Sequence, residues 1–405
     1  MRINVAHRFD RQGSARPVLQ FQASYKGEGP IARHRNAFGI KRVRGYQCRP
    51  GFKPGDKRRG NVKTPRMHVS LIVAGPLATI SGAYLYNRRM ADGLRALGHT
   101  VRVTELAGRF PDPDQAAIYA ARTAWAAIPG DSVPLIDGLA LPAFDGVPLS
   151  RVAALIHHPA SLETGLPEET RRRLLATETA MFRAVPRLVV TSDPTLGRLT
   201  REYGAPYEHV SVVMPGIDDP PRSTGSRNPG CAILSAGALI PRKGHDILLR
   251  ALSRLFDLEW RLTIAGSSAR DPVHANGLHA LAEKLHIGRR VEFIEGIAEA
   301  QWLEADMFAL ASYFEGYGME IAEALRRGLP VAVTNVGAVS MLVGPEAGVV
   351  GAPGDAEQLS KAMRRLIFDR ALRRDMGEVA WQSGRDLPSW DVQAKRLADV
   401  LESGG

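Results

Sequence analysis

Tyr313-Phe-Glu315-Gly-Tyr-Gly-Met-Glu-Ile-Ala-Glu323-Ala-Leu-Arg-Arg-Gly-Leu-Pro330 is the stretch that decides how this chain folds. The apolar run just before it, Met307 to Ser312, predicts a buried strand, and two glycines then break the pattern. Ile321 and Leu325, spaced i, i+4, predict a helix that Gly328 and Pro330 stop. Pro330 to Asn335 predicts the next strand. The unit is β-α-β, with a glycine-rich turn at a strand's carboxyl end, where open α/β sheets place ligands.

The chemistry follows from that position. Gly316 and Gly318 let the backbone turn tightly, and the segment through Tyr317 and Met319 offers the free N–H groups of a first helical turn to an anion such as a diphosphate. Glu315 and Glu323 repel phosphate, but each accepts hydrogen bonds from hydroxyls. A phosphate cradle flanked by hydroxyl acceptors suits a sugar nucleotide. The plain alternative is a helix start stabilised by acidic residues.

Seven residues separate Glu315 from Glu323, and upstream stands Gly237-Ala-Leu-Ile-Pro-Arg-Lys-Gly244. The two motifs, in this order and each after a predicted strand, resemble the paired signatures of the family 4 glycosyltransferases, retaining enzymes of the group 1 type. The resemblance runs from about Met67 to the C-terminus. It implies a GT-B architecture: two Rossmann-like α/β domains facing across a cleft, with a C-terminal helix crossing back to the N-terminal domain. It also implies transfer of a sugar from a nucleotide-diphosphate donor to an acceptor hydroxyl. In that scheme Glu315 holds donor-sugar hydroxyls, Glu323 the ribose, and Arg242 and Lys243 the diphosphate. Gly82, in the loop after the first strand, approaches the donor phosphates, and Gly266 and Gly296 lie around ribose and base. His157 or His158 faces sugar and acceptor, with Asp137 on the acceptor side; the sequence does not choose between the histidines. The family often has an arginine after the first glycine of the upstream motif, where this chain has Ala238.

The bulk composition agrees with an enzyme of two domains. A chain of 405 residues with 44% apolar content supports two full cores. Cys48 and Cys231 form no metal-binding spacing, and no run approaches a membrane span, so the expectation is a cytoplasmic protein without zinc. Contact with the inner face of a membrane is left as an option, because many relatives act on lipid-linked acceptors; Arg171-Arg-Arg173 reads instead as a solvated helix face. The resemblance also implies a reaction that needs no obligate metal and no cofactor beyond the donor. The net charge of +11 is uneven: residues 1–66 carry 17 Lys/Arg against 3 Asp/Glu, so the remainder is slightly acidic. Nucleic acid is therefore not an expected partner of the enzyme-like part, and the acceptor is a glycan, a lipid-linked sugar or a small molecule.

Residues 1–66, basic and without apolar periodicity, are expected to be disordered, an upstream extension before a true start at Met67. Residues 67–218 read as the N-terminal acceptor domain, 219–230 as a linker dense in Pro, Gly and Ser, 231–388 as the donor domain, and 389–405 as the crossover helix and tail. Only 9 residues separate Gly296 from Asp306, several fewer than the family usually has, which shortens the helix before Met307 close to the nucleobase. That departure motivates one rival, a catalytically silent nucleotide-sugar-binding protein. A GT-B-shaped epimerase or phosphorylase is disfavoured by the paired motifs.

Overall fold

Two six-stranded parallel sheets organise the chain. The computed structural model describes residues 66–227 and 229–403, together with two short strands nearer the start. Those strands, β1 (Asn4–Phe9) and β2 (Ala15–Gln20), pair antiparallel within a separate compact unit, Met1–Lys63. Both strands fall within the basic extension expected to be disordered. The rest of the basic extension lies outside the described residues.

In the unit from Thr64 onward, the first sheet contains β3 (His68–Ala74), β4 (Thr100–Leu106), β5 (Ser132–Asp137), β6 (Ala153–Ile156), β7 (Arg187–Val190) and β8 (Val210–Val212), in the order β4-β3-β5-β6-β7-β8. The second contains β9 (Cys231–Ala236), β10 (Trp260–Ala265), β11 (Val291–Ile294), β12 (Met307–Leu310), β13 (Val331–Thr334) and β14 (Gly348–Gly351), in the order β11-β10-β9-β12-β13-β14. Strands covered by helices on both faces have no polar side to show, so β6, β12 and β13 are buried throughout. Strand order reverses between β3 and β5 in one sheet and between β9 and β12 in the other. These are the two crevices where such sheets bind ligands.

The two strands predicted on either side of the glycine-rich turn and its helix form within two residues of their expected ends, at Met307–Leu310 and Val331–Thr334. Among the longer helices, Gln115–Ala126, Asp193–Glu202 and Pro272–Lys284 were not anticipated. The first buries only Ala117 and Ala121, a stripe too weak to stand out. The second does carry a start signal, a Ser192 cap followed by Pro194. The linker is not free: Ser223 N–H donates to Arg327 O at 2.9 Å, Thr224 N–H to Leu303 O at 3.0 Å, and Ser223 Oγ to Ala305 O at 2.7 Å. It is docked along the second domain.

Alternation along β3 divides the first domain's core. Ile72 and Ala74 face a cluster with Phe144 and Phe182, while Val69, Leu71 and Val73 face Tyr86, Met90 and Leu94. That second cluster is completed by Trp390, Ala394, Leu397, Ala398 and Leu401, all on the last helix, Trp390–Glu402. The expected crossover is present, and its i, i+4, i+7 stripe does the packing. Leu397 is fully buried there, so Leu397→Ala should cost about 3 kcal/mol of stability. Urea unfolding followed by circular dichroism measures this; a cost below about 1 kcal/mol would mean the helix is not part of that core.

Candidate active site

The first wall of the site stands at the carboxyl ends of β9 and β12. After β9 a single 3-10 turn, Pro241–Lys243, leads through Gly244 into helix His245–Ser253. Arg242 and Lys243 are thereby held at the sheet edge, 9% and 5% exposed. After β12, the loop from Ser312 to Gly318 runs into helix Met319–Arg326. Gly318 takes a φ of 95° at the cap of that helix, a left-handed conformation that side chains resist.

The two loops meet through charge. Lys243 Nζ lies 2.9 Å from Glu315 Oε1 and 3.0 Å from Glu320 Oε1. Ser312 Oγ donates to the same Glu315 oxygen at 2.6 Å. Arg242 Nη1 donates to Phe314 O at 2.8 Å and stands 3.9 Å from Glu315 Oε2. Burial alone would raise the Glu315 carboxyl, but Lys243 and Arg242 outweigh it and hold the group below the usual carboxylate range. Burial would likewise strip the Lys243 proton, yet Glu315 and Glu320 keep its pKa above the ordinary lysine value. Glu315 is thus held as the carboxylate and Lys243 as the ammonium.

The opposite wall comes from the first sheet. His157 and His158 follow β6 and turn to different partners. Asn87 donates its amide to Asp137 Oδ2 at 2.7 Å, so its carbonyl accepts from His157 Nε2 at 3.1 Å. That fixes the His157 proton on Nε2 and leaves Nδ1 as an acceptor. His158 Nε2 instead donates to Glu163 Oε2 at 3.2 Å. Burial first, then the Arg242 cation, holds the His158 pKa below its ordinary value against the opposing pull of Glu163. The loop bearing this pair is clamped by Glu178, 2% exposed, which accepts from Ser161 N–H at 3.0 Å and Ser161 Oγ at 2.6 Å.

The walls touch. Arg242 Nε donates to Glu163 Oε1 at 3.2 Å, and Ser192 Oγ donates to Gly316 O at 2.6 Å. A Cβ on Gly316 would stand 2.2 Å from His157 O, so a side chain there would push the domains apart. Gly82 opens helix Gly82–Ala96 against Met319, whose Sδ is 3.4 Å from where a Cβ would lie. Arg242, Lys243, Glu315, Gly316, Gly318, Met319, Gly82 and both histidines are thus gathered at one cleft.

The other predicted positions are placed differently. Asp137 is 2% exposed and reaches the cleft only through His157, as an orienting carboxylate. The Tyr317 side chain packs with Ile217 and Ala322, leaving only its backbone to the cradle. Gly266 packs onto Gly237 O, where a Cβ would come within 1.8 Å, while Gly296 borders open space. Glu323 Oε1 pairs with Arg327 at 2.9 Å, and Arg327 in turn binds Glu299 and lies over the Trp302 ring. The shortened helix, Glu299–Glu304, is six residues long and is fastened by that arginine. Glu163, Glu320 and Asn87 were missed. Glu163 belongs to no motif, and Glu320 looks like any acid in a first helical turn. Asn87 did leave a trace, a polar residue on the face of Tyr86, Met90 and Leu94. Among the described residues, no cluster of three metal-ligating side chains occurs and no helix is long and apolar enough to cross a membrane.

The Glu163 carboxyl gives a pH test. Burial would raise it, but the His158 hydrogen bond and Arg242 prevail and bring it from 4.5 to about 2. A carboxyl depressed by folding adds stability that is present above its unfolded value and lost as pH falls toward its folded one. The stability gap between the wild type and Glu163→Gln should therefore be widest above about pH 5 and close by about pH 2. Urea midpoints across that range check it; a gap independent of pH would remove the ionic role of Glu163.

Residues 218–382 match the model of the group 1 glycosyl transferases. The chain is 29% identical over 286 residues to a D-inositol 3-phosphate glycosyltransferase of Nocardioides sp., a match covering 63% of this chain and 62% of that one, so it spans somewhat under two thirds of that relative. Sucrose-phosphate synthase from Thermosynechococcus elongatus superposes with a TM-score of 0.72 at 18% identity, covering 83% of this chain and 99% of that one. Anabaena HepE, solved in complex with UDP-glucose, superposes with a TM-score of 0.63 at 18% identity, covering 83% and 100%. The match at residues 218–382 is thus to the group 1 glycosyl transferases, and the fold of the chain is GT-B.

Proposed function

We propose that this protein moves a glycosyl group from a nucleotide-diphosphate sugar to an acceptor hydroxyl, with retention at the anomeric carbon. The observation that carries this is the buried pair of cations, Arg242 and Lys243, beside the amino end of helix Met319–Arg326 at the crevice between β9 and β12. Two fixed positive charges and a helix end suit a diphosphate in both bound and leaving form. No cofactor or metal takes part.

The acceptor oxygen forms its bond to the anomeric carbon as the bond to the diphosphate oxygen breaks. The acceptor's proton passes to that departing oxygen. Lys243 and Arg242 neutralise the charge that develops on the leaving group. Glu315 holds donor hydroxyls, and His157, with Nδ1 free, lies on the sugar and acceptor side. Glu323 contributes to the ribose site by exchanging its Arg327 contact for ribose hydroxyls. The UDP-glucose bound by Anabaena HepE makes uridine donors the first to try, and the names of two relatives, which carry phosphate, put a phosphorylated small acceptor beside glycans and lipid-linked sugars.

The test is turnover of UDP-, GDP-, ADP- and dTDP-sugars by the full chain, with Lys243→Ala and Glu315→Gln in parallel. One nucleotide class should turn over, and each variant should lose about 100-fold or more while keeping a native circular dichroism spectrum. Binding of a nucleotide without any release of sugar, with sugar phosphates and crude lipid acceptors supplied, would favour a silent binder instead.

A further inference from the structure

Lys243 has two carboxylate partners, and they are not equivalent. Glu315 is pinned: Ser312 Oγ donates to it at 2.6 Å, Arg242 stands 3.9 Å away, and its side chain is 6% exposed. The Glu320 side chain meets Lys243 alone among the described residues, at 3.0 Å, and is 23% exposed. Glu320 is the partner that can turn out to solvent at little cost.

Its place matters as much as its freedom. Glu320 lies in the first turn of helix Met319–Arg326, after the Gly318 cap, where the backbone N–H groups have no partner within the helix. Ion pairs there join Arg242 to Glu163, and Lys243 to both Glu315 and Glu320. Both carboxylate partners of Lys243 are in place before any phosphate enters. A diphosphate can gain Lys243 fully only if a carboxylate gives it up, and the pinned one does not.

We propose that Glu320 is the counter-charge that occupies Lys243 until a nucleoside diphosphate displaces it, and that it sets the affinity of the site by competing for that lysine. This rests on the donor reading above. In the empty site Glu320 shields the buried ammonium; with ligand bound it swings outward; as product leaves, it returns to the lysine and opposes rebinding. A first-turn acid thus does more here than complement a helix dipole.

Isothermal titration of the full chain with UDP, GDP and ADP, and with the corresponding nucleosides, tests this. Glu320→Gln keeps the shape and removes the charge, so it should bind the preferred nucleoside diphosphate about tenfold more tightly than the wild type. The gain should shrink as salt is raised, and nucleoside affinity should not move. Glu320→Thr, measured alongside, should show the same gain, so that a folding defect in one variant does not decide the result. Glu315→Gln should show no gain. If the wild type binds a nucleoside diphosphate and neither Glu320 variant binds it more tightly, Glu320 does not compete and the donor site stands without it. If none of the proteins binds any nucleoside diphosphate, the donor reading fails, and this proposal with it.

Discussion

The ion pair between Lys243 and Glu315 is the constraint on which the site depends. Each charge is lost to water and stabilised only by the other and by its neighbours. Such a pair survives if both loops are held rigidly, and here each grows directly from a central parallel strand, β9 or β12. Ser312 fixes one carboxylate oxygen, and Arg242 is carried by the same turn as the lysine. Through Arg242 the constraint extends to Glu163 and His158 on the other domain. A contact made inside one sheet's crevice thus sets the spacing of the two walls.

The fold was legible in the sequence to the extent that it is written in local patterns. Fully apolar runs such as Met307 to Leu310 can only be interior strands, and Gly-rich turns after them mark the carboxyl edge. Helix Gln115–Ala126 escaped notice because small alanines bury without leaving a strong stripe. The site was legible where motif residues adjoin in sequence, at Arg242, Lys243 and Glu315. What stayed hidden were partners chosen by tertiary structure. Glu163 finds Arg242 across the cleft, Asn87 finds His157 from a helix far upstream, and Glu299 finds Arg327 from the short helix before β12. Sequence separation carries no record of such meetings.

The chain passes between the domains twice, and the passages lie side by side. Ile217 N–H donates to Pro388 O at 2.9 Å, and a Cβ on Gly216 would stand 2.3 Å from the Trp390 nitrogen. The following linker is bound to the second domain, so the passage between the domains is this short double strand rather than the whole of 219–230. Tyr317 and Leu387 pack with Ile217 at the same place, which ties the loop from Ser312 to Gly318 to that passage.

The last helix has a consequence for the order in which the chain is made. The second domain can assemble its two core clusters from residues in one continuous stretch, with Cys231 at its start and Ala380 near its end. The first domain cannot, because one face of β3 is covered by Trp390, Leu397 and Leu401. During synthesis Val69, Leu71 and Val73 precede the whole second domain and wait, partly uncovered, until helix Trp390–Glu402 has been made. The domain that begins before the other is therefore finished after it, and the nascent chain carries an apolar surface that only a distant segment of itself can cover.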